Sequence, residues 1–254
     1  MKRYALLSGL FFFISCIQTA FGQSEESIHI AVASNFTPVM KELAFEFEKS
    51  TGIKVKASYG SSGKFVAQIA HGAPFQAFFS ADQAKPKALE HQKLALPETR
   101  FTYAIGALVL WSTKQTDQDN LIAQLKNESY RNIAFANPKL APYGAAALDV
   151  FRNLKLPTPE RYKWLQGENI AQTYQFISTG NADLGFIALS QLKQQVSQPK
   201  GVTWEIPKHL YSPIKQDAVL LKRGQTSQAT KDFLMFIHSK TSQEIIKSFG
   251  YDIP

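Results

Sequence analysis

Polar and apolar residues alternate along residues 53–58, and apolar residues then recur every three to four positions along residues 65–70. Alternation predicts a half-buried strand, and the longer spacing predicts one face of a helix. The Gly-Ser-Ser-Gly segment between them, residues 60–63, therefore lies on a strand-to-helix turn, where Ser61 or Ser62 can cap the helix. Serine hydroxyls, free peptide N–H groups and the positive end of the helix dipole meet at such a turn. The segment thus predicts either a simple serine cap or an anion site.

The same pattern occurs nearer the start of the chain, where the apolar residues 28–32 predict a short strand. Ser34 and Asn35 follow on a polar turn. Thr37 and Pro38 are typical of a helix start, with Thr37 as the cap and Pro38 at the first helical position. In an open α/β sheet, such turns lie at the carboxyl ends of the strands, where ligands bind. Because two such polar turns occur in one half of the chain, the sequence supports the anion-site hypothesis as well as it supports the capping hypothesis.

Strand and helix patterns continue to alternate along the rest of the chain, which predicts an α/β fold with a mainly parallel sheet. We expect one long apolar strand over residues 102–111, with the first crossing between two domains near its start. A strand at residues 133–136 leads into a polar turn and a helix from about Ala145. A later strand, residues 217–222, is expected to return to the first domain.

The chain begins with a basic segment and an apolar stretch, residues 5–17, which is too short to be a stable membrane anchor. Small residues precede Gln23 at the positions that a signal peptidase reads. This pattern predicts a secretory signal peptide, residues 1–22, and export of the rest of the chain. Cys16 is the only cysteine and leaves with that peptide, so no disulfide is expected. The alternative is a lipoprotein anchored at Cys16.

The composition of the 254 residues is that of an ordinary globular protein, with 44% hydrophobic and 19% charged residues. The net charge of +8 is spread along the chain, which argues against a nucleic-acid-binding protein and favours the approach of small anions. No Gly-x-Ser-x-Gly elbow is present, and the five histidines lack metal-site spacing. Lys64 is followed by Phe65 rather than by Ser or Thr, so the turn is not a P-loop, and Lys64 is expected to be solvated. We expect a protein that is not an enzyme.

Eight short blocks stand in one order along the chain, at residues 33–36, 59–64, 72–74, 79–83, 137–144, 167–170, 184–187 and 249–251. In this order they resemble the substrate-binding proteins of bacterial molybdate ABC transporters, the ModA family. The resemblance implies a two-lobed type II periplasmic binding protein fold, with mixed, mainly parallel sheets flanked by helices and a two-strand hinge. One lobe would be formed by residues 23–103 and 213–254, and the other by residues 104–212.

The resemblance also implies that one oxyanion, molybdate or tungstate, is held between the lobes, with molybdenum present only in that anion and no cofactor. The implied ligand-binding residues are the Ile170 peptide N–H and the residues Ser34, Asn35, Ser62 and Tyr143, with Ser61 as a secondary candidate. Neutral hydroxyl, amide and N–H donors suit an oxyanion. The alternative is a protein of the same fold that binds another tetrahedral oxyanion, such as sulfate or phosphate.

Two positions depart from the family pattern. Many relatives have a tyrosine that hydrogen-bonds the anion where this chain has Ala188, and a subgroup with this pattern relies on the Tyr143 position instead. Relatives usually have Asp where this chain has Gln76. The family's partner is a membrane permease of an ABC transporter, and the resemblance implies a periplasmic monomer with no nucleic-acid partner.

Overall fold

The computed structural model describes residues 26–114, 117–159, 161–193 and 200–254, and the predicted signal peptide with Cys16 lies outside these ranges. The first of its two five-stranded sheets has the strand order β2-β1-β3-β10-β4, and the second has the order β7-β6-β8-β5-β9. The strands are β1 Ser27–Ala33, β2 Lys54–Gly60, β3 Ala77–Phe79, β4 Phe101–Gly106, β5 Leu108–Ser112, β6 Ile133–Ala136, β7 Trp164–Gly167, β8 Leu184–Ala188, β9 Val202–Glu205 and β10 Ile214–Leu220.

Helices flank both sheets and connect their parallel strands. The α-helices are α1 Thr37–Thr51, α2 Ser62–Ala70, α3 Ala84–His91, α4 Gln118–Lys126, α5 Pro142–Asn153, α6 Ile170–Ser178, α7 Leu189–Lys193, α8 Gln228–Ile237 and α9 Lys240–Ser248. Short 3-10 helices occupy Ser34–Phe36, Arg161–Lys163, Lys208–Leu210 and Lys222–Gly224. Within the described ranges, no helix is both long and apolar enough to cross a membrane.

Each sheet mixes parallel and antiparallel strands in the same way. In the first sheet, β1 pairs in parallel with β2 and β3, and β10 runs antiparallel between β3 and β4. In the second, β6 pairs in parallel with β7 and β8, and β5 runs antiparallel between β8 and β9. We call the part built on the first sheet lobe I and the part built on the second lobe II. The predicted two-lobed α/β fold is thereby confirmed.

The expected single strand over residues 102–111 is wrong. The chain breaks at Ala107, because β4 ends at Gly106 in the first sheet and β5 begins at Leu108 in the second. β5 is fully buried, and no residue of β4 is exposed, so the apolar pattern continues through the break and does not reveal it. β10 brings the chain back to the first sheet beside β4. The bounds of the lobes, given above to the residue, stay a prediction.

Two helix starts also differ from the expected ones. Thr37 is the first residue of α1 rather than its cap, because the 3-10 helix Ser34–Phe36 precedes it. The Thr37 hydroxyl donates to the carbonyl of Ser34 at 2.8 Å and joins the two helices. α5 begins at Pro142, three residues before the predicted start, since proline has no N–H and is well suited to the first helical position.

The larger of the two core clusters of lobe I lies between its sheet and α1, α8 and α9. Val39, Leu43 and Phe47 are buried on one face of α1, as their spacing predicts. Phe36 lies beneath the Ser34 turn and makes edge-to-face contacts with the rings of Tyr103 and Tyr251, with centroid distances of 4.8 and 5.3 Å. This apolar support fixes the position of the turn that follows β1.

Candidate functional site

A narrow cavity of only about 10 Å³ lies between the lobes, at the carboxyl ends of β1 and β2 in lobe I and of β6 and β7 in lobe II. The six residues predicted from the sequence all line it. Of the other six lining residues, five are alanine, glycine or proline, whose side chains give no pattern that could reveal them, and the sixth is Asn169. The complete lining is Ala33, Ser34, Asn35, Gly60, Ser61, Ser62, Ala81, Ala141, Pro142, Tyr143, Asn169 and Ile170.

The two serines after β2 have different roles. Ser61 caps α2, because its hydroxyl accepts a hydrogen bond from the Lys64 N–H at 3.4 Å. Ser62 is the first residue of α2, and its hydroxyl oxygen accepts from the Ala81 N–H at 3.0 Å. This bond holds the oxygen of Ser62 and leaves its hydroxyl proton available for donation. The helix is therefore capped by Ser61, and Ser62 is the serine whose hydroxyl can donate to an anion.

The turn after β1 presents a hydroxyl and a helix start. The Ser34 side chain is buried, and its hydroxyl has no hydrogen-bond partner within the described ranges. The side-chain amide nitrogen of Asn35 donates to Gln216 Oε1 at 2.8 Å and to the Tyr251 hydroxyl at 2.9 Å. Neither of those partners lines the cavity. Asn35 therefore turns its side chain away from the cavity, and its peptide N–H, at the start of a 3-10 helix, is its free donor.

Tyr143 lies in the first turn of α5 and is buried. Its hydroxyl accepts from Gln216 Nε2 at 3.2 Å and packs against Gly106, and neither of these residues lines the cavity. Burial raises the pKa of the Tyr143 hydroxyl well above its ordinary value, so the phenol stays protonated. Because Pro142 has no N–H, the peptide N–H of Tyr143 is the first donor that α5 offers to the cavity.

The turn after β7 also leaves a peptide N–H free. The side chain of Asn169 caps α6 and accepts from the N–H groups of Ala171 and Gln172 at 3.0 and 3.1 Å. Ile170, which lies between Asn169 and Ala171, has no acceptor for its own N–H in the described part of the chain. Its carbonyl accepts from Gln191 Nε2 at 2.9 Å, which fixes the direction of the peptide.

Ala188, the first departure from the expected family pattern, is buried at the end of β8. Its peptide N–H donates to Gln191 Oε1 at 3.0 Å. Gln191 therefore connects the end of β8 to the Ile170 carbonyl at the start of α6. Gln76, the other departure, lies outside the cavity, and its side-chain oxygen accepts from the His29 N–H at 2.8 Å.

An ion pair joins the lobes beside the cavity. Lys64 Nζ lies 2.6 Å from Glu168 Oε2, although both side chains remain about half exposed. Lys64 was expected to be solvated only, and the structure adds this contact with lobe II. Lys64 lies in the first turn of α2 and Glu168 lies two residues before α6, so the pair joins the starts of these two helices.

The electrostatic character of the cavity follows from its lining. None of the residues that line it carries a charge, and the N-termini of α2, α5 and α6 lie around it. Helix N-termini and free N–H groups favour an anion, and neutral hydroxyls add donors without a fixed cation. Among the described residues, no group of three His, Cys, Asp or Glu residues could hold a metal ion. The arrangement is suited to an anion that needs donors only.

The family model for bacterial extracellular solute-binding proteins matches residues 28–252. The chain belongs to this family. The molybdate-binding protein ModA of Azotobacter vinelandii is 44% identical over 226 residues, which cover 89% of this chain and 90% of that protein. ModA of Rhodobacter capsulatus is also 44% identical, over 87% of this chain and 86% of that protein. These matches confirm the resemblance to the ModA family.

A solved structure agrees with these matches. The periplasmic molybdate-binding protein of Azotobacter vinelandii superimposes with a TM-score of 0.82 at 38% identity and covers 89% of this chain and 99% of that chain. These relatives are binding proteins of the extracellular solute-binding family, which agrees with the expectation that the chain is not an enzyme.

Proposed function

We propose that this chain binds molybdate or tungstate between its two lobes and delivers the anion to an ABC transporter as its extracytoplasmic substrate-binding protein. The observation that carries the proposal is the meeting of hydroxyl and peptide N–H donors from both lobes at one uncharged cavity. The identity of 44% with two proteins named for molybdate binding supports this choice of anion.

The proposed donors are of two kinds. Ser34 and Ser62 contribute hydroxyls, and the starts of the helices contribute peptide N–H groups from Asn35, Tyr143 and Ile170. A fully deprotonated tetrahedral dianion presents acceptors at every oxygen, and such donors meet it without an ion pair. Hydrogen bonds to a charged oxygen are stronger than neutral ones, so a few of them suffice for tight binding. The anion is a transported ligand, and no cofactor is required.

Calorimetric titration of the exported form of the protein with molybdate tests this proposal. We expect one molybdate bound per chain and a matching heat with tungstate. The melting temperature should rise with molybdate concentration, because a ligand that binds only the folded state stabilises it. Absence of both heat and thermal shift at millimolar molybdate would contradict the function.

The proposal extends to the location and the partner. We infer that residues 1–22 direct export to the periplasm, that the exported protein acts as a monomer, and that it docks onto a membrane permease. A lipid on Cys16 is the alternative to free release. Mass determination of the exported protein separates the two, since cleavage before Gln23 leaves no cysteine and lipidation retains one.

Closure of the lobes around the anion is part of this function. Small-angle scattering of the exported protein should give a mass of one chain and a radius of gyration that falls when molybdate is added. An unchanged radius together with tight binding would count against closure. A mass of two chains would contradict the monomer.

A further inference from the structure

Gln216 connects the two lobes behind the cavity without lining it. It lies on β10, its side chain is completely buried, and the register between β10 and β4 shifts at this residue. Its Oε1 accepts from Asn35 Nδ2 at 2.8 Å and from the Tyr103 hydroxyl at 3.1 Å. Its Nε2 donates to the Tyr143 hydroxyl at 3.2 Å. One amide thus holds a residue of lobe I with one end and a residue of lobe II with the other.

The direction of this amide is fixed by its neighbours. The nitrogen of the Asn35 amide can only donate, so the atom of Gln216 that faces it is the oxygen. The nitrogen of Gln216 then faces Tyr143, whose hydroxyl oxygen accepts. Asn35 is held a second time by Tyr251, whose hydroxyl donates to the Asn35 carbonyl at 3.0 Å. A buried amide with partners at both ends is rigid, because breaking either bond leaves a polar atom unsatisfied.

Asn35 and Tyr143 line the cavity from different lobes, and each offers its peptide N–H from the first turn of a helix. We propose that Gln216 is a positioning residue that holds these two residues at the separation required by a tetrahedral oxyanion. This inference rests on the proposed function. Gln216 acts through the side chains of Asn35 and Tyr143, which are turned away from the anion, and it does not touch the anion itself.

A double-mutant cycle on molybdate affinity tests the inference. Gln216→Met keeps the length of the side chain and removes its three hydrogen bonds. Tyr143→Phe keeps the ring and removes the hydroxyl, which accepts from Gln216 and also hydrogen-bonds the Tyr251 hydroxyl. We expect each single variant to bind molybdate at least tenfold more weakly. Because both variants remove the Gln216–Tyr143 hydrogen bond, the loss in the double variant should be smaller than the product of the two single losses. A Gln216→Met affinity within twofold of the parent, or losses that multiply, would overturn the inference.

Two further variants keep the result interpretable. Ser242→Ala removes a buried hydroxyl that donates to the Phe236 carbonyl at 2.7 Å in the C-terminal helices, and it should lower the melting temperature with molybdate affinity unchanged. If Gln216→Met does not fold, Tyr103→Phe replaces it, since this change removes one donor to Gln216 Oε1 outside the cavity. It should weaken molybdate binding at least threefold, and parental affinity would overturn the inference. If the parent itself binds no molybdate, the proposed function fails instead.

Discussion

The Gly63 N–H in lobe I donates to the carbonyl of Leu140 in lobe II at 3.0 Å. This bond joins the first turn of α2 directly to the loop before α5. A Cβ atom at position 63 would lie 3.0 Å from the Leu140 Cα and 3.2 Å from its carbonyl oxygen. The two lobes therefore meet so closely here that a side chain at position 63 would require Leu140 to shift by a few tenths of an ångström.

Gly63→Ala should change stability and affinity in opposite directions. Alanine favours a helix over glycine by about 1 kcal/mol, so the melting temperature of the anion-free protein should rise or stay the same. Overpacking against Leu140 costs about 1–3 kcal/mol in the closed arrangement, which corresponds to a loss of roughly 5- to 150-fold in molybdate affinity. Thermal melting and calorimetry on one sample measure both effects. Parental affinity would show that this contact is not required for binding.

Ser62→Ala should lower affinity and stability together. A lost hydrogen bond to a charged oxygen costs about 1.5–3 kcal/mol, or roughly 10- to 150-fold in molybdate affinity. The Ala81 N–H also loses its acceptor, at a cost of about 1–3 kcal/mol of folding stability. Ser227→Ala is the matched control, because Ser227 caps α8 through the Thr230 N–H far from the cavity. It should lose about 1 kcal/mol of stability with unchanged affinity. If the two variants bind molybdate equally well, Ser62 is not a ligand.

Ile170 allows its peptide N–H to be tested separately from its side chain. Ile170→Val and Ile170→Pro both reduce the buried side chain, but only proline removes the N–H. Proline is tolerated here because Ile170 is the first residue of α6 and Asn169 before it is extended, with φ −148° and ψ 173°. The valine variant should bind molybdate almost as the parent does, and the proline variant at least tenfold more weakly. Equal affinities would exclude this N–H as a donor.

Lys64→Gln should have a small effect that depends on salt. The Lys64–Glu168 pair is half exposed, and such pairs contribute at most about 1 kcal/mol, or roughly fivefold in affinity. The loss of molybdate affinity should be largest at low ionic strength. It should nearly disappear at about 0.5 M salt, because the Debye length is then short. Lys49→Gln is the control of equal charge, since Lys49 pairs with Glu46 on α1 alone. A loss from Lys64→Gln that is independent of salt would contradict an electrostatic contact.

The sequence predicts the strands, the helices and the turns that present the cavity. Alternation along β2 and helical spacing along α2 place Ser61 and Ser62 on a turn, and the structure puts them there. Ser34 was found from the same kind of pattern. These features are local, since each depends on fewer than a dozen consecutive residues.

Long-range contacts carry the parts that the sequence does not reveal. Asn35 and Gln216 are 181 positions apart, so no local pattern could show that their amides pair. That pairing turns the Asn35 side chain away from the cavity and leaves its backbone to face it. The break at Ala107 is hidden for a related reason, because two buried strands in different sheets have the same apolar pattern as one long strand.

The central claim is that the cavity accepts an anion with donors only, and its most direct test is competition calorimetry at pH 7 with four tetrahedral oxyanions. Phosphate carries a proton near this pH, and a donor that accepts it is lost to the charged oxygens. Sulfate is fully deprotonated but smaller, so donors placed for a larger anion cannot reach all its oxygens at good length. We predict that molybdate and tungstate bind with similar, highest affinity, sulfate far more weakly and phosphate most weakly. Phosphate binding as tight as that of molybdate would contradict the account.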